Sequence, residues 1–155
     1  MPTILVDADG CPVVDETIEV AKRFGLDVQL FCDTSHLMQR EGAETVLVSK
    51  GMDAVDFVLV NKMKKGDIIV TQDYGLAAMV LAKKGYAINQ NGRLYTEENI
   101  DRLLAVRHVS KKVRQAGGRT KGPKKRQRED DFAFIRSLTA LCEELTKNPT
   151  DDFPH

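Results

Sequence analysis

Five aspartates have the types and spacing to do chemistry in this chain: Asp7, Asp9, Asp53, Asp56 and Asp73. Asp7 and Asp9 stand one residue apart at the end of the apolar run Ile4-Leu5-Val6, and Gly10, Cys11 and Pro12 follow at once. Asp53 and Asp56 are spaced i and i+3, which on a helix puts two side chains on one face with Cβ atoms about 5–6 Å apart. Asp73 follows the apolar run Ile68-Ile69-Val70 much as Asp7 follows the first. Carboxylates gathered at one point repel each other unless cations offset them, and hard oxygen donors suit Mg²⁺ or Mn²⁺. Two such ions ~3.5–4 Å apart activate water and stabilise the leaving oxygen of a phosphodiester. Each acid alone has a plainer use. Asp53 and Asp73 fit helix caps, Asp56 a first-turn acid facing the helix dipole, and Asp9-Gly10 a turn pair. As a set they favour a site, with Asp7, Asp53, Asp56 and Asp73 as catalytic metal ligands and Asp9 as a further ligand.

Such a site needs elements that bring distant segments to one edge. Ile4 to Val6 reads as a first strand, and Val13, Val14, Ile18, Ala21 and Phe24 recur at helical spacing until Gly25. Val28 to Cys32 and Thr45 to Val48 read as the second and third strands, and Ala54 to Lys64 as a helix closed by Gly66. Asp67 to Thr71 is a fourth strand, apolar enough to be buried on both faces. Leu76 to Lys84 is helical, Tyr86 to Ile88 is a fifth strand, Asn89 to Gly92 a turn, and Thr96 opens a helix running to about Val109. Strands alternating with helices predict an α/β fold with a doubly wound, mainly parallel five-stranded sheet. Phe132, Phe134, Ile135, Leu138, Leu141, Cys142 and Leu145 give a C-terminal helix that packs back on it. The expected organisation is an α/β domain over 1–110, a basic flexible loop over 111–129, the packing helix over 130–147 and a frayed tail over 148–155. In open sheets of this kind ligands bind outside the carboxyl ends of the strands. If the first and fourth strands are neighbours, Asp7 and Asp73 meet there.

The formal net charge of zero conceals a strong asymmetry. Residues 107–128 hold ten basic side chains and no acid, leaving 13 basic against 23 acidic residues elsewhere. A basic arm on an acidic body points to a polyanionic partner. Lys111, Lys112, Arg114, Arg119, Lys121, Lys124, Lys125, Arg126 and Arg128 are the candidate nucleic-acid contacts, with RNA the expected partner. The arm carries no aromatic residue for stacking bases, so its expected task is to hold a phosphate backbone near the acids. Nothing reads as a membrane span or signal peptide. Cys11, Cys32 and Cys142 share no metal-ligand spacing, which suits free thiols and a cytoplasmic location.

Several segments resemble the YaiI/YqxD family of uncharacterised bacterial proteins. These are Ile4 to Pro12, Gly51-Met52-Asp53-Ala54-Val55-Asp56, Asp67 to Asp73, Gly118-Arg119-Thr120-Lys121-Gly122-Pro123 and Asp131-Phe132-Ala133-Phe134. That family is grouped with PIN-like and NYN nuclease domains by the order of its acidic positions. The resemblance implies a compact PIN-like domain whose acids bind Mg²⁺ or Mn²⁺ and cut RNA. Asp7 then matches the first metal-binding acid, Asp53 or Asp56 the helix acid, and Asp73 the acid after the fourth strand. Asp9 has no fixed counterpart.

Other readings compete. Ile4 to Gly10 also resembles the first motif of haloacid-dehalogenase-like phosphatases, with Asp7 as nucleophile and Asp9 as general acid/base. Thr71 and Lys84 would then have to serve as that family's later Thr and Lys, and Asp73 stands alone where a pair is wanted. A non-catalytic RNA-binding module would need only the basic arm. Cys11, just before a helix, is a candidate low-pKa nucleophile, although a small buried cysteine is the commoner outcome and no histidine is placed to serve as its base. Asn89 and Arg93, near the end of the fifth strand, are further candidates to reach the crevice.

Overall fold

In the computed structural model, Ile4, Leu5 and Val6 are all sealed from solvent, as a strand covered on both faces requires. The structure describes residues 1–34, 37–49, 54–115 and 125–147. The strands are β1 (Ile4–Asp7), β2 (Val28–Asp33), β3 (Glu44–Val48), β4 (Ile68–Val70), β5 (Tyr86–Ile88) and β6 (Leu94–Tyr95). The helices are α1 (Val14–Phe24), α2 (Ala54–Lys62), α3 (Tyr74–Ala82), α4 (Glu97–Gln115) and α5 (Arg128–Lys147). The sheet order is β3-β2-β1-β4-β5-β6, parallel throughout except for antiparallel β6.

Alternate side chains along the strands supply two cores. Ile4, Val6, Val28, Leu30, Ile68, Val70 and Ile88 face α1 and α5, meeting Ile18 and Ala21 of the one and Phe134, Leu138 and Leu141 of the other. Leu5, Phe31, Ile69 and Ala87 face the opposite layer, where Leu59 of α2, Leu76 and Val80 of α3 and Ile100 of α4 pack. The doubly wound architecture with its C-terminal helix is therefore as the sequence predicts. Within α5, Phe134, Leu138, Leu141 and Cys142 are buried, whereas Phe132 is 53% exposed. It sits two residues from Phe134, about 200° round the helix, and so points away from the core.

The structure adds a sixth strand. Leu94–Tyr95 is too short to leave a periodic signal, and the Asn89 turn that precedes it closes a hairpin with β5. Asn89 Oδ1 accepts hydrogen bonds from the backbone of Asn91 and Arg93, both at 2.9 Å. Gly92, at φ 87°, lies so close to α5 that a Cβ there would stand 2.6 Å from the Ala133 carbonyl oxygen. Helix α4 continues to Gln115, beyond the end expected near Val109. No helix among the described residues is long and apolar enough to cross a membrane.

Candidate functional site

The chain runs outward from β1 through β2 and β3, then crosses to the other side of β1 to lay down β4 and β5. The direction of winding thus reverses between β1 and β4, and a crevice opens at their carboxyl ends. Register fixes what meets there. Val6 pairs with Val70, which sets Asp7 opposite Thr71. The buried Thr71 hydroxyl donates to Asp7 Oδ2 at 3.0 Å and accepts the Asp73 backbone N–H at 3.0 Å. Asp73 in turn caps α3, its Oδ1 accepting from Gly75 N at 2.8 Å and Leu76 N at 3.2 Å. The Tyr95 hydroxyl donates to the Thr71 carbonyl at 3.1 Å and its ring meets Tyr74 edge-on at 6.0 Å. The hairpin strand β6 therefore braces the site from behind.

On the other side of the crevice, Cys11 N–H returns to the Ala8 carbonyl at 3.0 Å, closing a turn in which Gly10 takes φ 71°. This turn holds Asp9 beside Asp7. Asp7, Asp9, Gln72, Asp73 and Tyr74 together line a pocket of about 350 Å³. Burial, and then the charges of Asp73 and Asp9, push the Asp7 carboxyl up to about 6, although the Thr71 hydrogen bond pulls the other way. Asp7 therefore holds its negative charge at a cost, set chiefly by burial.

Three of the five acids are thus brought to one pocket. Asp56 is half-buried in the first turn of α2 and does not line it. Asp53 lies outside the described residues. Among the described residues, no three His, Cys, Asp or Glu side chains are grouped so as to hold one metal ion. Mg²⁺ is commonly held by one or two carboxylates, its remaining positions filled by waters and substrate phosphates. The carboxylate oxygens of Asp7, Asp9 and Asp73 are donors of the kind such an ion takes.

A second cleft of about 500 Å³ adjoins the first, with Gln72 in the wall of both. Lys125 and Arg126 line it, opposite Gln90 and Asn91 of the hairpin turn. Arg126 is fixed at three points: Nε to Asp131 Oδ1 at 2.8 Å, Nη1 to Asn91 Oδ1 at 2.8 Å and Nη2 to the Gln90 carbonyl at 2.7 Å. It ties the start of α5 to the turn after β5, so the end of the basic arm is held beside the acids. Arg128 is exposed at the first residue of α5. Lys111, Lys112 and Arg114 belong to the last turns of α4, and Arg119, Lys121 and Lys124 lie outside the described residues.

Two alternatives lose their footing. Burial pushes the Cys11 thiol up to about 11, so it is a protonated thiol near neutral pH and not an activated nucleophile. Lys84 precedes β5, whose first residue pairs with the first residue of β4. It therefore stands at the amino edge of the sheet, opposite to Asp7, where a phosphatase lysine could not serve. Asn89 shapes its own turn, and neither it nor Arg93 lines either cleft. Thr71 enters the sequence reading only as the threonine a phosphatase would need; its bond to Asp7 depends on β1–β4 register, of which a threonine at the end of a strand carries no signal.

Fold and site define the class: a doubly wound α/β domain with an acidic pocket at its switch point. The chain belongs to the family described as "Uncharacterized BCR, YaiI/YqxD family", whose model matches residues 5–144. It is 58% identical over 143 residues to a UPF0178 protein of Exiguobacterium sibiricum, covering 92% of this chain and 98% of that one. A UPF0178 protein of Ruminiclostridium cellulolyticum is 46% identical over 148 residues, covering 96% and 97%. One of Clostridium acetobutylicum is 49% identical over 140 residues, covering 89% and 95%. No solved structure matches the chain significantly.

Proposed function

We propose that this protein is a metal-dependent phosphodiesterase of the PIN-like type, acting on RNA in the cytoplasm. One observation carries the reading: Asp7, Asp9 and Asp73 share a pocket whose wall continues into a cleft bearing Lys125 and Arg126. A polyanion approaching three carboxylates is repelled unless cations guide it, and the basic arm, whose exposed Lys125 stands at the edge of the second cleft, would carry them to that edge.

Asp7 and Asp73, with Asp9, are the residues that would hold Mg²⁺ or Mn²⁺, and Asp56 and Asp53 are outer candidates. The bound ion would supply an activated water and charge neutralisation at the phosphodiester. The chain's own residues do the positioning. Thr71 orients the Asp7 carboxylate through Oδ2, and the α3 cap holds Asp73. Tyr74 forms a wall of the pocket, and Lys125 with the basic arm engages the backbone phosphates. Purified protein should cleave single-stranded RNA with Mn²⁺, and Asp7→Asn should reduce the rate by about a hundredfold or more. Full activity in that variant would sink the assignment.

A second reading is RNA binding without cleavage. It would need only the exposed Lys125 beside the pocket and the rest of the basic arm. It requires salt-sensitive RNA affinity and no cleavage with any divalent ion in the same assay.

A further inference from the structure

The cleft bounded by Gln90 and Asn91 is built differently from a phosphate trap. Its cations are matched by acids: Arg126 meets Asp131 at 2.8 Å, and Asp130 lines the cleft together with Lys125. The Arg126 guanidinium already donates from all three of its nitrogens to protein acceptors. What the cleft offers in quantity is carboxamide, from Gln72, Gln90, Asn91 and Gln127. Gln and Asn present a donor and an acceptor together, the pattern that pairs with the edge of a nucleobase. Gln90 adds an unsatisfied acceptor at the cleft wall. Its Oε1 is buried and accepts no hydrogen bond from any described residue, although buried acceptors are normally satisfied, so a ligand that drew the amide round into the cleft would give it a partner. Gln72 Nε2 donates to the Gly10 carbonyl at 3.0 Å, Asn91 Oδ1 accepts from Arg126, and Gln127 Nε2 makes only a long 3.4 Å contact with the Lys125 carbonyl, which leaves Gln90 and the exposed Gln127 as the amides least held by the protein.

We infer that this cleft is a base-recognition subsite, which takes the nucleobase of the RNA nucleotide next to the scissile phosphate. Its substrate class rests on the phosphodiesterase reading, and it adds to that reading a preference among bases. The shared Gln72 wall makes the two sites neighbours, so a strand whose phosphate meets the acids would bring an adjacent base to this cleft. A volume of about 500 Å³ accommodates a base with room for its ribose. The single-stranded form is required because only an unstacked base exposes its edge to side chains.

The test is a binding measurement on the full chain in EDTA, so that no cleavage intervenes. Fluorescence anisotropy is read with labelled decamers of rA, rC and rU and with alternating (rG-rU) decamers. The expected result is one decamer bound about tenfold or more tighter than the weakest. Gln90→Leu should bring the preferred decamer to within about twofold of the weakest and leave the weakest unchanged. Gln127→Ala, at an exposed position, should narrow the preference in the same direction and serves if Gln90→Leu fails to fold. Equal affinity for all four decamers, or variants that weaken all four alike, would overturn the subsite, as would no measurable RNA binding. Base preference in EDTA without cleavage in any divalent ion keeps the subsite and refutes the hydrolytic reading. Cleavage with no base preference does the reverse.

Discussion

Asp7→Asn should make the metal-free protein more stable near pH 8. Burial and the charges of Asp73 and Asp9 raise the Asp7 carboxyl from 3.8 to about 6, so the folded state holds its proton more tightly than the unfolded chain does. Between those two values the native state binds more protons, and stability falls as pH rises. The loss is complete above about pH 7 and absent below about pH 3.8. A shift of about two units corresponds to roughly 3 kcal/mol. Partial solvent access and the weaker Thr71 hydrogen bond to a neutral amide remove part of that, leaving about 1–2 kcal/mol gained by the variant. For a domain of this size each kcal/mol moves Tm by about 2–4 °C. Thermal unfolding in EDTA at pH 8 should therefore show Asp7→Asn higher by several degrees, with the gain gone at pH 4. A variant less stable than wild type at pH 8, or one whose difference ignores pH, would refute the charge-strain account of the pocket.

The remaining predictions use the same geometry. Mn²⁺ at about 100 times its Kd should stabilise wild type by about 2.7 kcal/mol and leave Asp7→Asn unmoved, by calorimetry; an equal gain in both would place the ion elsewhere. Thr71→Val removes the hydrogen bond that lowers the Asp7 pKa and the acceptor of the Asp73 N–H. The Asp7 carboxyl should then titrate above about 6 by carbon-detected NMR, with a stability loss of about 1–3 kcal/mol. Phe134→Ala, at a fully buried site, should cost about 3–5 kcal/mol in urea unfolding, whereas Phe132→Ala should stay within about 0.5. Equal costs would mean that α5 docks through a different face.

The fold was largely legible because its strands are buried on both faces. Ile4 to Val6 and Ile68 to Val70 read as short apolar runs, and the glycines between helices and strands punctuate them. What escaped was set by contacts rather than by pattern. β6 exists because its two residues pair with β5 and its Tyr95 hydroxyl finds the Thr71 carbonyl, neither of which a period of two over so short a stretch can reveal. Phe132 has the composition of the apolar face of α5 but not its angular position, and it is exposed.

The site shows the same division. An acid directly after an apolar strand can be read from sequence, and Asp7 and Asp73 were, but which acids converge depends on which strands are neighbours. The crossover that puts β4 beside β1 joins Asp7 to Asp73 through Thr71, while Asp56 enters from α2 and does not line the pocket. The same crossover decides what the basic segment can do. Arg126 looks like one of ten interchangeable cations in sequence, yet it is the residue pinned to Gln90, Asn91 and Asp131. Its value lies in anchoring the arm at the mouth of the acidic pocket rather than in its own charge, which Asp131 largely offsets. In the proposed reading, charge in the arm would draw a polyanion in, the clamp would fix where the strand enters, and the amides of the cleft would be the groups left to distinguish one base from another.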